Sequence, residues 1–466
     1  MSGSARFVLF LAILGTLVGA AAFLRCEGTP PELALDAPIH LRRGAVPVEV
    51  TLSDPGSGLR SLRVTLAHPG GEVLLVDHRF EGGLLEGGAA GRTPEHFRFE
   101  VDAGELGLPD GEARAVFRVR DYSWRDFLRG NRVEREVRVV IDRRRPRVSV
   151  ESGLTYVQRG GSGAVAFSVD EPTRNDGVEV GKAFFRAWPW PRPAHPATEG
   201  LRAPGRRVAL FAIPHDAPRE ARVAVIAEDR AGNRARARWP VRIRERRFRT
   251  DIIRLPQRFL GEVVPPLAEA HEVDARDPVA AFQKINTELR AANEVRIREI
   301  VAQSAPEPLF RGAFLQMPGS AVTSRFAEER TYVVDGEPVS RATHFGYDLA
   351  ATAAAPVPAA NHGRVLFAGD LGIYGRCVIL DHGLGLTSLY GHLSRIDVRA
   401  GEDVAKGTIL GLSGATGLAG GDHLHFAILV GGVYVDPVEW WDPKWVREHV
   451  ESRLAPPAAG DAPEAR

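Results

Sequence analysis

The sequence predicts a mainly β, multidomain chain. It comprises an N-terminal transmembrane segment, two tandem β-sandwiches, a helical connector and a C-terminal antiparallel β domain. Three observations lead there. The 466 residues are enough for about two to four domains. Short runs of apolar or alternating residues, broken by Gly, Pro and Asp turns, fill most of the length. Finally, "EARAVFRVRD" (112–121) lines up with "EARVAVIAED" (220–229), and Gly130-Asn131 recurs as Gly232-Asn233. A period of roughly 100 residues is too long for a solenoid and suits tandem sandwiches.

Composition excludes several classes. Hydrophobic content of 44% and charged content of 26% are ordinary for globular protein. A net charge of +1 gives no global field that would favour nucleic acid or anionic lipid. Nearly all the positive charge is arginine. Lys182, Lys284, Lys406 and Lys444 are the only lysines, which we read as coding bias. Cys26 and Cys377 are the only cysteines, so neither a disulfide framework nor a Cys-based metal site is expected.

The elements follow in order. Residues 1–26 carry Arg6 and then an uncharged run from Phe7 to Leu24, a length between a signal-peptide core and a spanning helix. We read it as an uncleaved anchor. A signal cleaved near Ala20-Ala21-Ala22 ranks second, and a lipoprotein site at Cys26 last, because Arg25 stands where a small residue is needed. Each version exports the remainder, with the short tail bearing Arg6 kept inside. After a short polar linker, residues 38–143 form the first sandwich, with "PVEVTL", "RSLRVTL", "GEVLLVDH", "HFRFEVD", "ARAVFRVRD" and "REVRVVID" as strands. Residues 146–248 form the second. Its closing phrase, "EDRAGNRARARWPVRI", resembles the last hairpin of the immunoglobulin-like domains of exported bacterial proteins. The runs "DRRRPR" and "RIRERRFR" are read as solvated strand ends, and "FFRAWPWPRP" as core plus loop. Residues 250–305 are the connector. Asp277 caps a helix, Pro278 fits its first turn, and Val279, Phe282, Ile285 and Leu289 recur at helical spacing. Residues 306–443 return to strands and glycine turns, and 454–466 read as a disordered tail.

Chemistry concentrates in that last domain. In "GDHLHFAI" (421–428), His423 and His425 share one face of a strand while Leu424 points into the core. One imidazole can then bind a metal with the other beside it. "THFGYDLA" (343–350) places His344 and Asp348 four apart, on one face in either an extended or a helical backbone. Imidazole nitrogen and carboxylate oxygen suit zinc, and catalytic zinc sites use three such groups plus water. His344, Asp348 and one of the later histidines make that set. "LTSLYGHLSRI" (386–396) adds His392. His362, His382 and His449 read as turn or surface residues, and Tyr390 as core.

Together, His-x-x-x-Asp, Tyr-x-His-Leu and His-x-His resemble the lysostaphin-like (LytM-type) zinc metallopeptidases of peptidoglycan. "SRF" (324–326) before Arg330, "GRVLFAGDLGIYGRCVILDHG", "VRAGEDVAKGTILGLSGATG" and "YVDP" agree with it. Arg325, in place of a small residue, and "NHG" (361–363) depart from it, away from the metal positions. The resemblance covers about residues 310–440. It implies one Zn2+ per catalytic domain, held by His344, Asp348 and His425. His392 and His423 would flank the open coordination position as catalytic groups. Gly414, Gly417, Gly420 and Gly421 would let the backbone approach a peptide groove.

The resemblance further implies an exported, membrane-anchored zinc metalloendopeptidase cutting cross-links or stem peptides of peptidoglycan. It would sit in the cell envelope, anchored in the inner membrane and facing the periplasm. Its expected partners are peptidoglycan, the membrane through the N-terminal segment and cell-wall regulatory proteins, with no nucleic acid. The alternative is a non-catalytic regulator of a wall amidase, or a wall-binding scaffold. Relatives of that kind lose metal ligands, whereas all five positions are filled here.

Overall fold

Alternation of apolar and polar residues shapes the N-terminal half of the chain. In the strand Val46–Ser53, Val48, Val50 and Leu52 are buried while Pro47 and Glu49 are exposed. In Leu59–His68, Leu62, Val64 and Leu66 point inward. A period of two gives each strand one apolar face, so two sheets close over a shared core. One sheet runs Glu32–Ala34, Val46–Ser53, Glu95–Val101. The other runs Ile39–Leu41, Arg132–Ile141, Gly111–Asp121, Leu59–His68, Gly71–Arg79. Each of the six stretches read as strands is a strand.

The computed structural model describes residues 25–190 and 201–455, together with 9, 10, 12, 13, 15, 16 and 19. Most of the expected anchor, the end of the aromatic stretch from 191 and the expected tail from 456 lie outside the described residues. Among the described residues no helix is long and apolar enough to cross a membrane. The chain forms two compact units, Met1–Arg145 with Glu228–Arg234 and Pro146–Ala227 with Ala235–Arg466.

The Gly-Asn recurrence has a physical basis. Asp121 Oδ1 accepts from Asn131 N at 2.7 Å and Oδ2 from Asn131 Nδ2 at 2.8 Å. Asp229 does the same with Asn233, at 2.8 Å and 2.8 Å. One carboxylate thereby clamps both the backbone and the side chain of the asparagine. Both halves also pair a short early strand parallel to their last strand, Ile39–Leu41 with Arg132–Ile141 and Thr155–Gln158 with Val241–Arg244.

In the second unit, residues 146–248, 250–305 and 306–443 share one continuous apolar core. The docking is specific. Glu439 Oε2 accepts from Ser162 N at 2.8 Å and from Ser162 Oγ at 3.2 Å. Trp440 Nε1 donates to Ser162 Oγ at 3.1 Å. A Cβ on Gly161 would lie 2.4 Å from Glu439 Oε1, so a larger residue there would displace that carboxylate. Arg246, expected to be solvated, is ion-paired with Asp436. Phe185 and Trp188 are core, in line with their reading.

The connector helix begins where its cap predicts. Asp277 Oδ1 accepts from Val279 N at 2.9 Å and Ala280 N at 3.2 Å, and Pro278 opens Pro278–Lys284. A π-helical turn at Ile285–Leu289 leads into Arg290–Val301. The C-terminal domain is an antiparallel sheet ordered Ala321–Ser324, Tyr347–Ala350, Leu424–Val430, Leu386–Leu393, Arg376–Gly383, Gly363–Asp370, Asp403–Val404. Leu424–Val430 lies between the two strands that complete the site. Asp348 is the cross-strand partner of His425 on one side, and Gly391, next to His392, is its partner on the other.

Candidate metal centre

Sheet register brings three ligand-type atoms to one point. His344 ends the strand Glu337–His344, and Phe345-Gly346 turns the chain so that Asp348 enters Tyr347–Ala350 beside His425. His344 Nε2 lies 2.9 Å from Asp348 Oδ1 and 3.0 Å from His425 Nδ1, and His425 Nδ1 lies 3.0 Å from Asp348 Oδ1. Ligand atoms about 2.0–2.1 Å from a tetrahedral ion stand about 3.3 Å apart, so this triangle is close to that needed. All three residues are buried.

Proton placement favours a cation there. His344 Nδ1–H donates to Arg325 O at 3.0 Å, which leaves a lone pair on Nε2 facing the triangle. His425 Nε2 is buried without a hydrogen-bond partner. If that nitrogen carries the proton, two lone pairs and a carboxylate oxygen converge with no hydrogen between them. If it does not, a bare acceptor is buried. A divalent cation in the triangle resolves the first arrangement.

Arg330 orients the carboxylate. Its Nη2 donates to Asp348 Oδ2 at 3.0 Å, so only Oδ1 faces the triangle. Burial opposes charge on Asp348, but whenever His344, His423 or His425 carries a proton toward it, that neighbour holds the carboxyl well below the usual range. Burial, with smaller effects from neighbouring charges, pushes His425 down to about 4.

The other two histidines face the same opening. His423 Nδ1–H donates to Gly421 O at 2.8 Å and His392 Nδ1–H to Thr416 O at 2.8 Å. Each Nε2 is thereby left as an acceptor, and the rings stand 4.8 Å apart. His423 Nε2 is 3.6 Å from Asp348 Oδ1. Burial, then the nearby His423 and His425, push His392 down to about 3. His392 has φ of +63°, an uncommon conformation for a side-chain-bearing residue and one concentrated at working sites. Gly414 O accepts from His423 N at 2.9 Å and holds the start of the His-x-His segment in place.

The centre opens into a cleft of about 580 Å³. Its opposite wall comes from the connector, through Arg254, Pro256, Phe259, Phe282 and Arg290. Helix residues also hold the floor. Asn293 Oδ1 accepts from Ile373 N at 2.9 Å, and Glu294 Oε1 accepts from Tyr374 OH at 2.7 Å and Tyr434 OH at 3.2 Å. The Tyr374 ring packs 5.5 Å from His425. Asn293, Glu294 and Tyr374 were not singled out from sequence, and Arg330 only as a landmark of the resemblance, without a role. Three of the remaining readings meet the structure differently. Tyr390 is core, its OH accepting from Ala360 N at 2.8 Å. His449, read as turn or surface, stacks on Trp445. His382, also read that way, is fully buried and bonded to His362 O and Ser388 Oγ, at the register irregularity just before the end of Arg376–Gly383.

The segment that builds this centre is similar to known proteins. The family model described as Peptidase family M23 matches residues 342–437. That stretch is a peptidase family M23 domain. The M23 domain contains all five residues of the centre. The DD-carboxypeptidase/endopeptidase Mpg of Neisseria meningitidis serogroup B is 39% identical over 95 residues, 20% of this chain and 22% of that protein. The peptidoglycan DD-endopeptidase ShyB of Vibrio cholerae is 34% identical over 118 residues, 25% of this chain and 27% of that protein. The chain thus spans about a quarter of the length of these curated relatives. The catalytic domain of the antimicrobial peptidase lysostaphin from Staphylococcus simulans is 27% identical over 26% of this chain and 92% of that one, with a TM-score of 0.22.

Proposed function

We propose that this chain is an exported, membrane-anchored zinc metalloendopeptidase that hydrolyses cross-links or stem peptides of bacterial peptidoglycan. It would be held in the inner membrane by residues 7–24 and face the periplasm, behind immunoglobulin-like sandwiches. The observation that carries the reading is the triangle of His344, Asp348 and His425, open on the side of His392 and His423. The relatives' names supply the substrate class.

When bound, zinc supplies Lewis acidity that polarises a peptide carbonyl and makes water a better nucleophile. The chain's own groups do the rest. His344 and His425 present one nitrogen each, and Arg330 keeps Asp348 turned so that one oxygen faces the ion. His392 and His423, with Nδ1 fixed to backbone carbonyls, present Nε2 lone pairs to the opening. From there they accept a proton from the attacking water and return it to the departing amine nitrogen. In protonated form they also stabilise the oxyanion of the substrate. Arg254 and Arg290 on the cleft wall suit a peptide that carries carboxylates, while Arg258 beside them is paired with Glu262 at 2.9 Å.

The test is zinc content and release of fragments from purified peptidoglycan. His344→Ala should lose both. His423→Ala should keep zinc and lose hydrolysis by about 10²–10⁴-fold, the range for one acid–base group. Undiminished wall release by both variants would sink the assignment.

A further inference from the structure

The first unit carries an apolar tip that the peptidase reading does not use. Phe127 is 95% exposed and Leu85 is 84% exposed. Leu84 and Leu128 flank them. Leu84-Leu85 cap the ribbon of Gly82–Gly83 and Gly87–Gly88, and Phe127-Leu128 lie in the turn Arg125–Leu128. Trp124 links the two segments, its Nε1–H donating to Leu84 O at 2.5 Å. Lone exposed apolar residues are commonplace, but a cluster of four at one tip marks a contact surface.

The turn is held in an unfavourable conformation. Asp126, Phe127 and Leu128 have φ of +48°, +53° and +67°. Consecutive left-handed residues with side chains are rare, and such outliers persist where the surroundings enforce them. Arg60 Nη1 donates to Leu128 O at 2.8 Å and Arg120 Nη1 to Arg129 O at 3.1 Å. The fold thus fixes a conformation whose visible result is an outward Phe127.

Arg25 and Cys26 lie at the same place. Arg25 O accepts from Trp124 N at 2.8 Å and Ser123 Oγ at 3.2 Å, and Cys26 O accepts from Arg125 Nε at 3.4 Å. Arg25 Nη2 reaches Leu84 O at 3.3 Å. The residues preceding Arg25 are uncharged back to Phe7. Arg25, Arg60, Arg120, Arg125 and Arg129 lie around the tip, together with Glu27, Glu81, Glu86 and Asp126, the last 3.8 Å from Arg120.

We propose that Leu84-Leu85 and Phe127-Leu128 form a second membrane contact, inserting into the interface of an anionic bilayer while the surrounding arginines meet lipid phosphates. This rests on the reading of residues 7–24 as an anchor in that bilayer and is independent of hydrolysis. Apolar side chains beside cationic ones are the composition that interfacial binding requires. One anchor alone leaves the first unit free to swing. A second contact beside its exit point fixes the unit's orientation.

The test uses the full chain in vesicles of phosphatidylethanolamine and phosphatidylglycerol. Cys26→Ser removes the exposed thiol, and Cys377 is buried. An environment-sensitive fluorophore is then placed through Leu85→Cys, Phe127→Cys or Glu112→Cys. Glu112 lies at the far end of the strand Gly111–Asp121, about 30 Å from the tip at about 3.3 Å per residue. Labels at 85 and 127 should shift to the blue and be quenched by spin-labelled lipid at least threefold more than the label at 112. Replacing phosphatidylglycerol with phosphatidylcholine should weaken that quenching. Flotation with the vesicles but equal quenching at all three positions overturns the second contact and leaves the anchor standing. Failure to float with vesicles overturns both.

Discussion

Gly346 lies against the edge of the His425 ring. A Cβ there would meet His425 Cε1 at 2.6 Å, Nε2 at 2.7 Å and Phe426 O at 2.7 Å. The carbonyl belongs to the central strand and cannot retreat, so the imidazole must move. Gly346→Ala should therefore reduce zinc occupancy and wall hydrolysis about 10–100-fold, the scale of losing a group that orients a ligand. Metal titration and fragment release would check it. Arg330→Gln should act in the same direction, because Asp348 loses the guanidinium that keeps Oδ2 turned away from the ion. Its zinc dissociation constant should rise about tenfold, measured by competition with a chelator. His344, Asp348 and the pair His423 and His425 stood out in the sequence because metal chemistry restricts ligand types and strand periodicity fixes their spacing, whereas His392 and the choice of His425 as ligand came only from the resemblance. Arg330 was noted only as a landmark of the resemblance, without its bond to Asp348, and Tyr374 did not stand out. Their partners lie 18 and 80 residues away, and no local pattern in a sequence records such contacts.

At the scale of elements, the helix Pro278–Val301 was legible as a helix, while its bearing on the groove was an expectation drawn only from its place in the chain before the last domain. Asp277, Pro278 and the spacing of Phe282 and Ile285 are local signals, and both apolar residues are fully buried. The second half divides its faces. Ile297, Ile300 and Val301 enter the core, while Asn293 and Glu294 grip the turn Gly372–Tyr374. That turn supports the rest of the site. Tyr374 packs on His425, and a Cβ on Gly375 would meet Thr416, whose carbonyl fixes His392. Asn293→Ala should leave zinc bound, lower stability by about 1–3 kcal/mol through the orphaned amide of Ile373, and slow hydrolysis several-fold. Denaturant titration and turnover at saturating substrate separate the two effects. The strands were easier to read, since each alternates against its own sheet. The boundary after residue 248 was harder, because the turn and linker signals there are also those of a chain that continues into the same core.

At the scale of the whole molecule, the second unit behaves as one body because its sandwich and its M23 domain are joined through buried polar groups as well as apolar ones. Glu439 sits at that junction, its carboxyl pushed up to about 8 by burial, although Ser162 donates to it from both backbone and side chain. Asp436 raises it further, and Arg246 acts in the opposite sense. A carboxyl raised on folding makes the folded chain hold more protons than the unfolded one between its ordinary value of about 4.5 and about 8. Its contribution to stability is complete below that window and is lost as pH rises through it, by on the order of 4 kcal/mol. Other groups titrate over the same range, so the informative quantity is the difference between the native chain and Glu439→Gln, which keeps an acceptor for Ser162 but cannot ionise. The two should melt within about a degree of each other near pH 5, and the variant should melt higher by several degrees near pH 9. Calorimetry across that range would decide it. An offset that stays constant with pH would mean that Glu439 is ionised in the folded chain and that the junction tolerates a buried charge.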